Sequence, residues 1–149
     1  MLRTFSKAHA LASLRVGRTV GPPAIIATLN ATCDPFNTNS IGIAAALASL
    51  EDEAWLADAV AWNAEVRGRL ANALRWIGLT VVPSEANFLL VPLDRPADPV
   101  ADALLHHGII VRTATASGLP DALRITVGLP DENRLLIEAL VAVLGGVPC

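Results

Sequence analysis

The chain contains one lysine, Lys7, and its other ten basic side chains are all arginine. An arginine stays protonated in a protein, whereas a lysine can lose its proton, and only a neutral amine attacks a carbonyl carbon. Lys7 follows Thr4 and Ser6 at the end of a short stretch that is expected to form a strand. Lys7 is therefore a candidate for Schiff-base chemistry with a carbonyl compound; the alternative is an ordinary surface lysine.

The fifteen residues from 3 to 17 form an ordered motif around this lysine, Arg-Thr-Phe-Ser-Lys-Ala-His-Ala-Leu-Ala-Ser-Leu-Arg-Val-Gly. The motif resembles the lysine motif of pyridoxal-phosphate-dependent aminotransferases of class I/II (fold type I), and especially that of the histidinol-phosphate branch. The sequence departs from the usual family pattern at His9, Ala10, Ser13 and Arg18. At the first two of these positions the family commonly has an aromatic residue and a glycine.

The resemblance implies a role for each polar residue of the motif. Lys7 matches the catalytic lysine that forms the Schiff base with pyridoxal 5'-phosphate (PLP) and later moves a proton between substrate and cofactor. Thr4 and Arg15 match the groups that hold the cofactor's phosphate, and Ser6 lies beside them as a further cofactor contact. A guanidinium suits this role because its fork of donors binds phosphate bidentately. For Arg15 the alternative is an ordinary surface arginine.

A second resemblance covers the run Leu-Arg-Ile-Thr-Val-Gly at 123–128. In the family, the arginine of this strand binds the substrate's α-carboxylate, which implies that role for Arg124. An arginine flanked by apolar residues on a strand is costly unless it meets an anion, although a structural salt bridge would also satisfy it. Upstream, Arg112 ends the run Ile-Ile-Val-Arg, and the resemblance places it near the far end of the substrate, with a surface ion pair as the alternative.

Two loops also resemble the family. Asn87 lies in the segment that leads from Pro83 and Ser84 to Phe88, and it is expected to shape the site rather than to perform chemistry. The loop at 35–39 resembles the one that reaches the neighbouring subunit's active site in these dimers. Asn37 and Asn39 are then interface residues, and a plain turn role is the equal alternative.

Composition excludes several classes of function. The net charge is −3 without a block of like charges, so we expect neither a nucleic-acid partner nor an anionic membrane surface. The mean hydropathy is high, +0.50, but the longest apolar stretches have about ten residues, short of the roughly 18 needed to span a bilayer. Cys33 and Cys149 predict no disulfide framework, and His106 and His107 are expected to end a helix rather than to bind a metal. We expect a cytoplasmic protein and no metal site.

The apolar pattern and the turn residues predict a mixed α/β chain. The resemblance divides it into the end of a large PLP-binding domain at 1–45, a long connecting helix at 46–78 and a small α+β C-terminal domain at 79–149. The small domain is expected to have a β-β-α-β-β-α outline. In chain order, the predicted elements are a strand at 2–5, a strand at 14–20, a helix opened by Pro23, a helix capped by Ser40, a long helix ended by Gly78, strands at 79–82 and 86–91, a helix at 98–107, strands at 109–111 and 123–127, and a helix from Pro130 to the glycines at 145–146.

The resemblance implies amino-group transfer between L-histidinol phosphate, or a related amino acid, and 2-oxoglutarate. An aromatic amino acid aminotransferase and a threonine-phosphate decarboxylase-like lyase remain open. The chain contains no tyrosine, and it also lacks the family's aspartate that faces the pyridine nitrogen. We therefore expect it to be the C-terminal portion of a homodimeric enzyme, the alternative being a non-catalytic truncated fragment.

Overall fold

The structure is a computed structural model and describes residues 1–145; Gly146 and Cys149, named above, lie outside this range. The chain forms two compact units, residues 1–61 and 62–149, which are described separately. The domain limits drawn from the resemblance at residues 45 and 78 stay predictions, because a compact unit need not coincide with a domain of the larger fold.

The first unit opens with a short antiparallel hairpin. Strand β1 (Leu2–Thr4) pairs with β2 (Gly17–Thr19). The strand predicted at 14–20 was too long, because residues 12–14 form a 3₁₀ turn and Arg15 takes left-handed backbone angles, with φ +57°, that a strand cannot accommodate. At Gly17 a Cβ atom would lie 3.1 Å from the carbonyl oxygen of Arg3, so the close approach of the two strands favours glycine there.

Two helices follow the hairpin. Helix α1 spans Pro23–Thr32 and α2 spans Ser40–Glu51. Proline at the first position of α1 agrees with the prediction, since its missing N–H has no partner there in any case. The predicted cap of α2 was wrong by one residue: the cap is Asn39, whose side-chain oxygen accepts a hydrogen bond from the amide of Gly42 at 2.7 Å. Asparagine caps as well as serine does, so local sequence could not separate the two.

The long helix α3 spans Glu53–Trp76 and contains 24 residues. It begins inside the 46–78 range predicted for the connecting helix, because Asp52 leaves helical geometry and its carboxylate accepts a hydrogen bond from the amide of Trp55. Its last residue is Trp76, and the predicted glycine, Gly78, follows two residues later with φ +86°. A left-handed glycine lets the last carbonyls of the helix find donors, here the amides of Gly78 and Leu79.

The second unit holds a three-stranded antiparallel sheet in the order β3-β5-β4. Its elements are β3 (Phe88–Pro92), α4 (Ala97–His106), β4 (Arg112–Ala114), β5 (Leu119–Thr126) and α5 (Pro130–Leu144). One face of the sheet buries alternate residues in a core shared with α4, α5 and the C-terminal part of α3. The largest fully buried side chains there are Leu74, Leu89, Val91, Leu104, Leu123, Ile125 and Leu140.

Two predicted strands of this unit are wrong. The segment 79–82 makes a single backbone hydrogen bond to β3, from the Val82 amide to the Leu90 carbonyl at 3.0 Å, and then Pro83, which lacks an N–H, prevents a ladder. The segment 109–111 is not a strand, since the amide of Ile109 bonds to Leu104 and closes α4, after which β4 starts at Arg112. The observed outline is therefore β-α-β-β-α.

The remaining elements agree with the sequence in kind and differ at their ends. The strand predicted at 123–127 starts earlier, at Leu119, and α5 ends at Gly145, whose φ is +88°. His106 lies in the last turn of α4 and His107 follows it, as expected. Within residues 1–145, no helix has both the length and the apolar character needed to cross a bilayer.

Candidate active site

Lys7 lies on a loop that joins the two strands of the hairpin and is held at both ends. The amide of Phe5 donates to the carbonyl of Val16 at 3.1 Å, and that of Leu11 donates to the carbonyl of Phe5 at 2.9 Å. Phe5 and Val16 are buried against Ala46 of α2. The side chain of Lys7 is exposed. The buried residues Phe5 and Val16 thus anchor a loop that presents a primary amine to its surroundings.

Two hydroxyl groups lie next to this amine in the chain. The Thr4 hydroxyl donates to the Ser6 hydroxyl at 2.9 Å and accepts a hydrogen bond from the Ser6 amide at 3.0 Å. This local turn holds the two side chains together at the end of β1. Hydroxyl groups can rotate their hydrogen toward an anion when one is present. The structure thus groups Thr4 and Ser6 beside Lys7, and their role as cofactor contacts stays a prediction.

Arg15 lies on the same loop, just before its second end. Its backbone is left-handed, a conformation that costs a non-glycine residue about 1–3 kcal/mol and persists only where the surroundings impose it. One terminal nitrogen of its side chain donates to the carbonyl of Ala12 at 2.8 Å. Among residues 1–145 it forms no ion pair. The guanidinium therefore keeps donors that can bind an anion.

The departures from the family motif have visible structural consequences. Ala10 has φ +55°, a left-handed conformation, which explains why the family commonly places glycine at this position. His9 packs against Phe5 with ring centroids 4.7 Å apart, and its Nδ1 lies 2.6 Å from the Ser49 hydroxyl. His9 thus occupies an aromatic position while also bonding the loop to α2.

The start of α2 supports the loop, a contact that the sequence did not predict. The side-chain amide of Asn39 donates to the carbonyl of Leu14 at 3.0 Å while its oxygen caps the helix. A Cβ atom at Gly42 would lie 2.7 Å from Cγ2 of Val16. Asparagine is a favoured residue at a helix N-cap, but nothing local indicates which loop packs on it. The interface roles of Asn37 and Asn39 stay predictions.

We expect Gly42→Ala to destabilise the chain by about 1–2 kcal/mol, because valine is stiff and buried and cannot yield to the added methyl group. Gly68→Ala is the matched control, since a Cβ atom at this second helical glycine meets nothing within 4 Å. The control should gain up to about 1 kcal/mol from helix propensity. Urea unfolding of both variants measures the difference, and an equal gain in both would contradict the tight contact.

Arg124 and Arg112 lie in the second unit, on the face of the sheet opposite its core. Arg124 is half-buried on the central strand β5, between the buried residues Leu123 and Ile125, whose side chains point the other way. Arg112 is exposed on β4 and is the direct cross-strand partner of Arg124. Directly opposed residues of an antiparallel pair share one face. The structure thus brings these two predicted residues together.

Two like charges opposite each other are unfavourable unless an anion lies between them. In the part of the chain that the structure describes, neither arginine forms an ion pair with a carboxylate. The structural salt bridge considered for Arg124 and the surface ion pair considered for Arg112 are therefore not formed among residues 1–145. Arg124 instead packs its guanidinium on Phe88, with Cζ 4.1 Å from the ring centroid. The two arginines, Arg112 and Arg124, can therefore bind an anionic group together.

Asn87 helps to fix the start of β3 through its backbone carbonyl. Its carbonyl accepts a hydrogen bond from the amide of Val127 at 3.0 Å, which extends the pairing of β3 with β5 by one step. This bond fixes the start of β3 beside the end of the strand that carries Arg124. The position agrees with a residue that shapes the surroundings of a site.

Comparison with known proteins gives a consistent result. The family model for aminotransferase class I and II matches residues 1–140. Histidinol-phosphate aminotransferase of Symbiobacterium thermophilum is 46 % identical over 143 residues, which are 96 % of this chain and 40 % of that protein. The chain thus spans well under half the length of this curated relative.

Solved structures match the fold as well. Histidinol-phosphate aminotransferase of Sinorhizobium meliloti, a complex with pyridoxal-5'-phosphate, superposes with a TM-score of 0.88 at 33 % identity, covering 96 % of this chain and 40 % of that one. L-threonine-O-3-phosphate decarboxylase of Porphyromonas gingivalis gives 0.80 at 26 % identity, covering 97 % and 46 %. With a family model matched over almost its whole length, the chain belongs to the class I and II aminotransferases.

Proposed function

We propose that the chain is part of a PLP-dependent aminotransferase that moves an amino group between L-histidinol phosphate, or a related amino acid, and 2-oxoglutarate. The observation that carries the proposal is the loop between β1 and β2, in which Lys7 is presented beside Thr4 and Ser6 and on the same loop as Arg15. The 46 % identity to a histidinol-phosphate aminotransferase supports the choice of substrate. In this proposal residues 1–45 end a large PLP-binding domain, and 79–149 form the small domain.

The residues of the loop fit the cofactor. A phosphate accepts hydrogen bonds and carries negative charge, and the loop offers two hydroxyl groups and a guanidinium that forms no ion pair within residues 1–145. Thr4, Ser6 and Arg15 would hold the phosphate, and Lys7 would be the point of covalent attachment. When bound, PLP supplies an electron sink for the charge that develops on the substrate's α-carbon.

Lys7 has a second task in this proposal. When it is not bonded to the cofactor, its Nζ would be a free base that could move a proton between the substrate's α-carbon and the cofactor. An arginine could not do this, because its guanidinium does not give up a proton in proteins. The single lysine of a chain that otherwise uses arginine suits both tasks.

The paired arginines bear on the choice of substrate. L-histidinol phosphate has no carboxylate, and its anionic group is a phosphate monoester with a charge of about −1.5 to −2 near pH 7. Such a group can neutralise both Arg112 and Arg124, whereas one carboxylate neutralises a single charge. The planar fork of Arg124 can bind a phosphate or a carboxylate. In the second half of the reaction it would therefore bind the α-carboxylate of 2-oxoglutarate. The pair thus supports a phosphorylated amino donor over an aromatic amino acid.

Amino transfer to 2-oxoglutarate tests the proposal directly. The whole protein, loaded with PLP, should use L-histidinol phosphate at least about tenfold more efficiently than phenylalanine, because charge-assisted hydrogen bonds contribute about 1.5–3 kcal/mol. Comparison of kcat/KM for the two donors measures this. Equal values would contradict the preference. Transfer from neither donor would favour the alternative that the polypeptide is not catalytic.

A second candidate function rests on the likeness to the threonine-phosphate decarboxylase structure. L-threonine O-phosphate also carries a phosphate monoester, so the arginine pair suits it equally well. Release of carbon dioxide from this substrate, without consumption of a 2-oxo acid, would identify the lyase.

The proposal also includes assembly of the whole protein as a homodimer, with Asn37 and Asn39 at the interface between subunits. Sedimentation equilibrium tests this part, and a purely monomeric protein would contradict it.

A further inference from the structure

A short segment of the second unit, Ser84 to Phe88, is held by side chains of α3. Arg67 donates from one terminal nitrogen to the carbonyl of Ala86 at 3.1 Å and from the other to the carboxylate of Glu85 at 2.6 Å. The Arg67 side chain is only 12 % exposed, whereas that of Glu85 is 97 % exposed. Arg67 therefore lies beneath the segment, while its acidic partner reaches into solvent.

Further hydrogen bonds fix the same segment. Asn63, one turn earlier on α3, also donates to the carbonyl of Ala86, at 3.4 Å. The Ser84 hydroxyl donates to the carbonyl of Phe88 at 2.7 Å and accepts from the amide of Ala86 at 3.1 Å. The backbone that leads into β3 is thus held on one side by α3 and internally by its own serine.

The segment ends at the ring that touches the predicted substrate arginine. Phe88 pairs with Thr126 across the sheet, and its ring lies 4.1 Å from Cζ of Arg124. A guanidinium stacked on an aromatic face keeps its hydrogen-bond donors at the edge, free for an anion, and its side chain loses rotational freedom. The position of the ring therefore determines where the guanidinium of Arg124 is held.

We propose that Arg67 is a positioning residue for Arg124, acting through the carbonyl of Ala86 and the ring of Phe88. Arg67 touches no substrate in this arrangement; it sets the backbone that carries the ring, and the ring restrains the guanidinium. Preorganisation of this kind lowers the cost of ordering a binding group when its ligand arrives. The consequence for substrate binding rests on the proposed function, whereas the geometric consequence does not.

Nuclear magnetic resonance of the full chain tests the geometry without any substrate. The ring of Phe88 should shift the Cδ protons of Arg124 upfield, and the signal is assigned by its loss in Arg124→Lys. We expect Arg67→Met to remove most of this shift. Arg69→Met is the matched control, because Arg69 is 72 % exposed on the same helix and, within residues 1–145, pairs only with Glu65; it should preserve the shift. An unchanged shift in Arg67→Met would overturn the proposal.

A second variant, Arg67→Lys, distinguishes a loss of positioning from a loss of folding. Lysine keeps the charge and the apolar stem of the side chain but has no fork, so it cannot hold Ala86 and Glu85 together. A reduced shift in this variant, with a melting temperature close to that of the control, supports positioning. A full shift in a folded Arg67→Lys would show that the fork is not needed.

Kinetics of the PLP-loaded protein test the consequence. We expect Arg67→Lys to raise KM for the anionic substrate about three- to tenfold, the range of a cation–π contact, with kcat changed less than twofold. Combination with Phe88→Leu should add little, because both changes release the same guanidinium. Fully additive effects would overturn action through the ring. If the wild-type protein transfers no amino group, the proposed function fails, and the proton shift still decides the geometry.

Discussion

Replacement of Lys7 by arginine should abolish borohydride fixation of PLP and lower turnover by roughly 10³-fold or more. Arginine keeps the positive charge and the length of the side chain, so the phosphate-binding environment is preserved. What it lacks is an amine that can lose its proton, and both proposed tasks of Lys7 need one. The change therefore separates charge from nucleophilicity at this position.

Lys7 is the only lysine within these 149 residues, so cofactor fixed on a lysine of this stretch can be assigned without ambiguity. After borohydride treatment, peptide mapping of these 149 residues should find the cofactor on Lys7 in the wild type and on none of their side chains in Lys7→Arg. The double variant Lys7→Arg with Arg69→Lys is the matched control, since it restores one lysine at an exposed position of α3. Fixation that follows the lysine to position 69, or that occurs only at the amino terminus, would refute the assignment.

Removal of the guanidinium of Arg124 should have the second-largest effect. We expect Arg124→Leu to raise KM for the anionic substrate roughly 30- to 100-fold, because Arg124 is only half-buried and its loss falls at the lower end of the about 2–5 kcal/mol that truncating a buried charge pair costs. Arg112→Leu should raise it about tenfold or less, since Arg112 is exposed and its charge is screened by water. Arg124→Lys should fall between these two, because lysine keeps the charge and lacks the fork.

Stability gives an independent check on the role of Arg124. A protein loses free energy of unfolding when an arginine that stabilises its fold is removed. Arg124 is not expected to stabilise the fold in this way, because it directly opposes Arg112 and forms no ion pair in the described part of the chain. Arg124→Leu should therefore leave the free energy of unfolding unchanged or slightly raised, because the like-charge opposition disappears. Urea unfolding measures this. A loss above about 2 kcal/mol, together with an unchanged KM, would assign Arg124 to the fold rather than to a site.

Sequence alone determined the features that depend on neighbouring residues. The starts of α1 and α5 at Pro23 and Pro130 and the end of α3 at Gly78 follow from the backbone preferences of proline and glycine, which operate within a few residues. The candidate cofactor residues are predicted in the same way, because the lysine motif is contiguous. A fixed order over fifteen residues carries its information without knowledge of the fold.

Tertiary structure decided everything that depends on distant partners. The apolar segments 79–82 and 109–111 have the composition of strands, yet neither forms a ladder with the sheet, because a strand exists only where a neighbouring edge is available. For the same reason no local signal places Arg112 opposite Arg124, Asn39 against Leu14, or Arg67 beneath Ala86. These contacts join residues from 12 to 25 positions apart along the chain, and packing and strand register, which are properties of the whole unit, determine them.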